Sequence, residues 1–268
     1  MGINMKISVI VPFWNSEKWI GKCCESLLKQ EGDFEFILVD DDSTDQGDEV
    51  VYGYCGKDPR FVLLRNMRSK GVSGARNTGL DYADGDLITF LDADDELLDS
   101  AYETFVNTVD QDPRAKIYQF NHLRYYANID KTTFKYTNNR KNFDIANLPL
   151  MWFGVWNKLY DADFIKDIRF DERLQYGEDG LFVLECLTKG AYIYHANQNA
   201  VIVKHNFING QSLSKEKTAE DILKQIRIYE EFYLKQKDLV AKKAVCNEIA
   251  QLWSIRMIKR IEEEYGKA

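Results

Sequence analysis

The chain of 268 residues has 43 acidic against 35 basic side chains, a formal net charge of −8, and 45% hydrophobic residues. This much apolar material predicts a globular protein, either one large domain or a domain with a small appendage. A negatively charged chain does not neutralise phosphate backbones, so the composition argues against a nucleic-acid partner.

The first hundred residues alternate short apolar strands with helical patterns. The predicted strands are Ile7–Phe13, Phe34–Asp40, Arg60–Arg65 and Asp86–Leu91, and the helices between them begin near Asn15 or Ser16, Ser43 and Ser73. Continuous β-branched runs such as the first are typical of strands buried on both faces. Strands alternating with helices predict an α/β fold with a doubly wound, mainly parallel sheet.

The alternation becomes looser after Asp99. A helix is predicted over Leu98–Gln111, and Ala115–Tyr126 could pair with Thr132–Thr137 as a small antiparallel edge. Another helix is predicted from Gly177, followed by two apolar runs. From Lys215 to Tyr265 the pattern predicts charged amphipathic helices that pack on the core, with docking on a partner or membrane as the alternative.

Cysteine usage and hydropathy indicate a compartment. The five cysteines are an odd number without metal-ligand spacing, which predicts reduced thiols and no disulfide framework. No run approaches the ~18 apolar residues that span a bilayer, and we expect no signal peptide before Met5. We therefore expect a cytoplasmic protein, with peripheral contact at the inner membrane face left open.

Three polar clusters follow predicted strands: "PFWN" after the first, "DDDSTD" after the second and "DADD" after the fourth. Ligands of open α/β sheets bind beyond the carboxyl ends of the strands. The three clusters therefore predict one shared site at this edge of the sheet.

The segment Leu87–Asp99 places four acidic residues within five positions: Asp92, Asp94, Asp95 and Glu96. If the chain turns sharply, Asp92 and Asp94 can converge on one ligand, and Mg²⁺ or Mn²⁺ prefers such oxygens together with substrate phosphates. The alternative is capping of the next helix by Asp94 or Asp95. We interpret Asp95 and Glu96 as residues that support or cap that helix.

Two further acidic motifs have two readings each. In "DDDSTD", Ser43 or Asp45 could cap a helix, whereas a carboxylate at a strand end could accept an N–H from a nucleobase. In "GED", Glu178 and Asp179 could complement a helix dipole, or one of them could serve as a general base.

The motifs "ISVIVPxxN", "VDDxSTD", "GxSxARNxGL", "ITFLDADD", "WNKLY" and "GED" occur in an order that resembles family 2 glycosyltransferases of the bacterial surface-polysaccharide type. The resemblance extends from Ile7 to about Phe182, with further likeness in "KHNFINGQSLS". It implies a GT-A fold with a Rossmann-like nucleotide-binding half. The implied division is residues 1–99 for the nucleotide sugar and 100–213 for the acceptor side, together one domain, with 214–268 as a C-terminal helical segment.

The resemblance also implies residues that bind the donor. The backbone around Pro12 and Phe13 would lie against the nucleotide, with Asn15 in the same segment. Asp41 would meet the base, typically uracil, and Asp92 would approach the ribose. Asp42 stands where the family often has glycine, which we expect to alter only the shape of the loop.

Further implied donor contacts lie outside the strand ends. Arg76 and Asn77 would lie near the nucleotide, although Arg76 could instead form a structural ion pair. Lys158 of "WNKLY" is a candidate for contact with the diphosphate or the acceptor, with a buried strand as the alternative reading.

For catalysis, the resemblance implies that Asp94 ligates Mn²⁺ or Mg²⁺ on the diphosphate and that Asp179 is the base. His205 could complete the metal shell, hold the diphosphate or be structural. We interpret His122 and His195 as structural.

The implied activity is inverting transfer from a nucleotide-diphosphate sugar, typically a UDP-sugar, to a hydroxyl of a saccharide or lipid-linked saccharide. A sugar-phosphate nucleotidyltransferase is the alternative enzyme, but the segment "PFWNSEKW" lacks the glycines of a triphosphate-binding loop. A non-catalytic nucleotide-sugar-binding protein is the alternative outside enzymes.

Overall fold

The computed structural model describes residues 5–126, 130–135, 142–144, 154–197, 199–207 and 218–265. The strands are β1 Ile7–Phe13, β2 Phe34–Asp40, β3 Phe61–Arg65, β4 Leu87–Phe90, β5 Glu96–Leu97, β6 Ile117–Gln119, β7 Asn121–Tyr126, β8 Lys131–Lys135, β9 Asn142–Phe143, β10 Lys158–Asp161, β11 Ile193–His195 and β12 Val201–Phe207. The helices are α1 Glu17–Leu28, α2 Gly47–Cys55, α3 Val72–Tyr82, α4 Ala101–Gln111, α5 Ala162–Ile165, α6 Glu178–Thr188, α7 Ala219–Lys235 and α8 Leu239–Tyr265.

The large sheet has the strand order β3-β2-β1-β4-β10-β6-β11-β9. All strands run in one direction except β10 and β9, which are antiparallel to their neighbours. The predicted mainly parallel sheet is confirmed. Because β1 lies between β2 and β4, the loops that follow these three strands share one edge of the sheet.

Strand β1 is buried on both faces, as its continuous apolar run predicts. All seven of its residues are buried. Val9 and Val11 pack in a cluster covered by α1, α2 and α4, whereas Ile10 packs on the opposite face under α3, α5 and α6. Helices on both faces make the sheet doubly wound, and this layering leaves the strand ends as the accessible edge.

A second sheet has the order β5-β12-β7-β8. The predicted antiparallel pairing of its edge is confirmed, because Leu123 of β7 pairs with Phe134 of β8. The last two residues of the predicted strand Thr132–Thr137 lie outside the described residues. Strand β12 brings the residues around His205 alongside β5, where Val203 pairs with Leu97.

Strand β5 corrects the interpretation of Asp95 and Glu96. The helix α4 begins only at Ala101, with Ser100 as its N-cap residue. Because β5 intervenes, Asp95 and Glu96 do not cap or support that helix, and this prediction is wrong. Both carboxylates instead face β12.

Two helices form the described end of the chain. The capping box of Thr218 and Asp221 begins α7, and α7 and α8 pack against each other. Ile228 and Tyr229 of α7 pack against Leu174, so the predicted packing on the rest of the protein is present. Within the described ranges, no helix is both long enough and apolar enough to cross a membrane.

Candidate active site

Asp41 lies at the shared edge, directly after β2. It is 7% exposed. Its two carboxylate oxygens accept hydrogen bonds from Asn66 Nδ2 at 2.6 Å and from the Gly71 backbone N–H at 2.8 Å. Its own N–H donates to the Phe13 carbonyl at 2.9 Å. Asp41 therefore joins the loops after β1 and β2, which belong to the predicted site, to the loop after β3, which does not.

Asn15 lies beside Asp41 in the same edge but does not cap α1, because the N-cap residue there is Ser16. The Asn15 backbone has φ +48°, a left-handed conformation that asparagine tolerates better than most residues. Its side-chain oxygen accepts the Thr44 N–H at 2.8 Å, and its N–H donates to Ser43 Oγ at 3.0 Å. These bonds connect the loop after β1, including Pro12 at the end of the strand, to the loop after β2.

Arg76 joins the strand-end acids to the helix α6. Its side chain is 4% exposed. One terminal nitrogen, Nη1, lies 2.6 Å from Asp179 Oδ1 and 3.0 Å from Glu178 Oε1, and Nη2 lies 3.2 Å from Asp92 Oδ1. The structural ion pair considered for Arg76 is thus present, and it brings the predicted ribose residue and the predicted base together.

Glu178 is the buried acid of this cluster. Burial raises its pKa to about 8, with a further increase from the charge of Asp179 and an opposing effect of Arg76. Asp179 is more accessible, with a side chain 22% exposed, and its Oδ2 also accepts the Val155 N–H at 3.3 Å. The accessible acid of the pair is therefore the one that can meet a substrate.

Asn77 follows Arg76 on α3 but turns towards the protein interior. Its amide donates to the Phe170 carbonyl and to Glu172 Oε1, each at 2.9 Å, and its oxygen accepts the Phe170 N–H at 2.9 Å. Glu172 also accepts the Ser69 N–H at 3.2 Å. These contacts hold the loop after β3 against the segment before α6.

The acids after β4 separate into different environments. Asp95 is 0% exposed, and its carboxylate lies 2.8 Å from His205 Nδ1 and accepts the Asn206 N–H at 2.9 Å. Burial raises the pKa of Asp95 to about 7, although the hydrogen bond to His205 opposes this. Burial lowers the pKa of His205, but the hydrogen bond to Asp95 and the charges of Asp95, Asp92 and Asp94 together outweigh it, and the net shift is upward.

The His205 ring has a defined orientation. It stacks on the Trp156 indole with centroids 4.8 Å apart and an interplanar angle of 8°. His122 contacts the same indole edge-on at 4.8 Å. Both His122 and His195 are buried, as expected of structural histidines. The motif "KHNFINGQSLS" is described only as far as Phe207.

The metal prediction names Asp94 and His205 as ligands. Burial raises the pKa of Asp94 to about 6, and the charge of Asp92 adds to this increase. A bound cation would offset the repulsion between the Asp92 and Asp94 carboxylates. The described part of the chain contains no group of three or more His, Cys, Asp or Glu side chains able to hold a metal together. Mg²⁺ commonly binds through one or two carboxylates, substrate phosphates and water, so Asp94 fits such a cation.

Lys158 is fully buried in β10. Its ammonium donates to the Gly154 carbonyl at 2.5 Å and to Asn157 Oδ1 at 3.2 Å. Burial lowers its pKa to about 7, with an opposing effect of the Asp179 charge. The buried-strand reading of "WNKLY" is confirmed for Leu159, whereas Trp156 is buried as predicted but lies in the turn before β10. Contact of Lys158 with a diphosphate or acceptor stays a prediction.

Several residues of this site could not be found from the local pattern. Asn66 holds Asp41, Glu172 connects the loop after β3 to α3, and Asn206 contacts both Asp95 and the Asp94 carbonyl. Each is a single polar residue without a repeated spacing. Only their distant partners reveal their roles.

Comparison with known proteins gives the family. The model of "Glycosyl transferase family 2" matches residues 8–165. An uncharacterized glycosyltransferase, EpsJ of Bacillus subtilis, is 30% identical over 73% of this chain and 62% of its own length. A Campylobacter jejuni protein, GalNAc(5)-diNAcBac-PP-undecaprenol beta-1,3-glucosyltransferase, is 31% identical over 71% of this chain and 63% of its own length. The chain thus spans less than two thirds of either relative.

The fold also matches a solved structure. TarS of Staphylococcus aureus, residues 1–349 in complex with UDP-GlcNAc, aligns with a TM-score of 0.71 at 22% identity, over 96% of this chain and 73% of that one. This match confirms the expected GT-A fold. With the family model covering more than half of its residues, the chain belongs to glycosyl transferase family 2.

Proposed function

We propose that this protein transfers a sugar from a nucleotide-diphosphate sugar, a UDP-sugar in preference, to a hydroxyl of a saccharide or lipid-linked saccharide, with inversion at the anomeric carbon. The Campylobacter jejuni relative supports this proposal through its beta-1,3-glucosyltransferase activity, and TarS supports the donor class through its UDP-GlcNAc complex. Residues 1–99 would bind the donor and 100–213 the acceptor, in one domain extended by the helical segment 214–268.

The observation that carries the proposal is the Arg76 cluster. The guanidinium contacts Asp92, which follows a donor-side strand, and Asp179, at the beginning of α6. A base for glycosyl transfer has to lie within hydrogen-bond reach of the acceptor hydroxyl while the donor sugar is beside it. The Arg76 contacts bring one accessible carboxylate next to the donor side of the sheet, which is the arrangement that this chemistry needs.

Asp179 would accept the proton. As the acceptor hydroxyl oxygen attacks the anomeric carbon, its proton passes to the Asp179 carboxylate, and the anomeric bond to the diphosphate oxygen breaks with its electron pair on the leaving group. Among the described contacts, Oδ1 accepts from Arg76, Oδ2 accepts the Val155 N–H, and the carboxylate also hydrogen-bonds with the Glu178 side chain. A carboxylate offers about four lone-pair positions, so acceptor capacity remains.

The other site residues would hold the donor. Asp41 would receive the base, next to Pro12, Phe13 and Asn15, and Asp92 the ribose. A divalent cation bound by Asp94 and the diphosphate, with His205 beside it, would stabilise the negative charge on the leaving group as a Lewis acid. Arg76 would hold the Asp92 and Asp179 carboxylates in fixed positions relative to each other.

We further propose a cytoplasmic location, where nucleotide sugars are made, with peripheral contact at the inner membrane face when the acceptor is lipid-linked. The negative net charge of the chain supports a partner other than nucleic acid. Liposome co-sedimentation with the purified protein tests the membrane contact directly.

The function is tested by following nucleotide release and thermal stability together. UDP-GlcNAc, UDP-glucose, UDP-GalNAc and GDP-mannose are each incubated with the protein, with Mn²⁺, Mg²⁺ or EDTA. We expect a rise in melting temperature with UDP and metal, and UDP release from at least one UDP-sugar. GDP is the matched control, and we expect it to leave the melting temperature unchanged. The absence of both stabilisation and release with every donor would contradict the proposal.

A further inference from the structure

We infer that the C-terminal helix α7 positions the base: Tyr229, supported by Gln225, holds the turn that carries Asp179. This inference rests on the proposed role of Asp179. Tyr229 lies more than fifty positions after that turn in the sequence, in the segment that the family model does not match. Tyr229 is a positioning residue, since it acts through the backbone and not on a substrate.

The contact is made at Gly177, the N-cap residue of α6 and the first residue of "GED". Its backbone is left-handed, with φ +76°. The Tyr229 hydroxyl donates to the Gly177 carbonyl at 2.8 Å, and the same carbonyl accepts the Leu181 N–H at 3.2 Å. Tyr229 thereby fixes the peptide group that directly precedes Glu178 and Asp179.

Gln225, one helical turn before Tyr229, closes the space above Gly177. A Cβ atom at position 177 would lie 1.8 Å from Gln225 Nε2, so the amide packs directly on the glycine. Gln225 is 6% exposed and hydrogen-bonds with Tyr229. Two buried polar side chains of α7 thus contact the same residue, Gly177. Burial of a polar side chain costs free energy unless it forms hydrogen bonds.

Apolar and charged contacts fix α7 at this place. Leu174 and Leu181, on either side of the turn, pack with Ile228 and Tyr229 in one buried cluster. Arg173 Nη1 lies 2.7 Å from the Glu231 carboxylate. The segment that leads into α6 and the first turn of that helix therefore both rest on α7.

Asp179 is consequently held from two directions. Arg76 contacts its carboxylate, while α7 sets the backbone from which that carboxylate projects. Small displacements of a catalytic group reduce turnover strongly, by up to about 10²-fold for 1 Å. Loss of the Tyr229 hydroxyl should therefore lower kcat while the donor, bound at the other side of the cluster, keeps its KM.

The test compares Tyr229→Phe with Tyr233→Phe. The second variant removes a hydroxyl from the same helix and keeps the ring that contacts the Lys242 ammonium. We expect Tyr229→Phe to lower kcat about tenfold with the KM for the donor within about twofold, and Tyr233→Phe to leave both unchanged. Gln225→Met, which keeps the side-chain volume, should show a smaller loss of the same kind. Melting temperatures establish that each variant is folded.

A double-mutant cycle with Asp179→Asn separates positioning from a general structural role. If Tyr229 acts through Asp179, Tyr229→Phe has no further effect on turnover in the Asp179→Asn background. An equal loss in both backgrounds, or an unchanged kcat in the single variant, overturns the inference.

Hydrogen exchange of the amides of residues 178–181 supplies a readout that does not depend on activity. We expect faster exchange in Tyr229→Phe than in the wild type or Tyr233→Phe. Equal exchange in all three proteins overturns the inference. Full activity of Asp179→Asn would instead reject the proposed base, and the exchange comparison would still decide whether Tyr229 fixes this turn.

Discussion

Arg76 Nη1 and Asp179 Oδ1 lie 2.6 Å apart, although 103 positions separate the two residues in the chain. The guanidinium is almost completely buried and the carboxylate is partly accessible. This ion pair joins α3 to α6, the helix that carries the proposed base. The positions of Asp92 and Asp179 therefore both depend on the buried Arg76 guanidinium.

Replacement of the proposed base should remove turnover and spare the donor. Asp179→Asn keeps the shape of the side chain but cannot accept a proton, so we expect kcat to fall by about 10²–10⁴-fold. Calorimetric titration with UDP and metal should give an affinity close to that of the wild type. A variant with wild-type turnover would reject Asp179 as the base.

Removal of the buried Arg76 guanidinium should destabilise the protein. Arg76→Ala leaves Asp92, Glu178 and Asp179 without their shared partner, and breaking a buried ion pair costs about 3–5 kcal/mol in the free energy of unfolding. Urea denaturation measures this loss. The control is Arg65→Ala, since Arg65 forms an exposed pair with Asp42 and such pairs contribute about 0–1 kcal/mol. Equal losses in the two variants would contradict the structural role of Arg76.

Substitution of the proposed metal ligand should act on nucleotide binding through the cation. In Asp94→Asn we expect UDP to stabilise the protein equally with Mn²⁺ and with EDTA, because a carboxylate ligand is lost. Asp99→Asn is the matched control, since Asp99 is an exposed acid in the same segment. Thermal shift with and without metal checks this outcome, and a metal effect of wild-type size in Asp94→Asn would exclude Asp94 as a ligand.

The stability of the protein should depend on the protonation of Glu178. Burial raises its pKa to about 8, from an ordinary value of 4.5. Because the folded chain holds this proton more tightly than the unfolded chain, the contribution is complete at a pH below the ordinary value and is lost as the pH rises towards the folded value.

Glu178→Gln resembles the protonated side chain and should remove that loss. The melting temperature of the variant relative to wild type is therefore expected to rise from pH 5 to pH 8. Glu103→Gln, which changes an exposed glutamate on α4, should follow the wild-type profile. Parallel pH profiles of Glu178→Gln and wild type would show that Glu178 does not titrate in this range.

The nucleotide-binding half could be predicted closely from local patterns. Strands β1 and β2 begin and end where the apolar runs do, because strands buried on both faces of a parallel sheet need continuous β-branched and aromatic residues. The antiparallel insertion of β10 and the short strand β5 could not be predicted. Both are defined by pairing partners elsewhere in the chain and have little pattern of their own.

The site, like the fold, could be predicted from local sequence patterns only in part. The acids after β2 and β4 can be predicted to be candidate ligand residues because the ends of parallel strands meet at one edge. The prediction that Asp95 supports or caps α4 is wrong, since His205 and Asn206, more than a hundred positions away in the chain, hydrogen-bond with its carboxylate. Local capping rules cannot detect such a competitor.

The sequence by itself determined the family, the parallel sheet and the residue types at its edge, because strand burial and motif order are local properties of the chain. The tertiary structure alone decided which carboxylates share Arg76, which acid is buried beside Asp179, and that Tyr229 contacts the Gly177 carbonyl. Burial and ion pairing depend on neighbours brought together by folding, so the charge state and orientation of each acid are properties of the packed molecule.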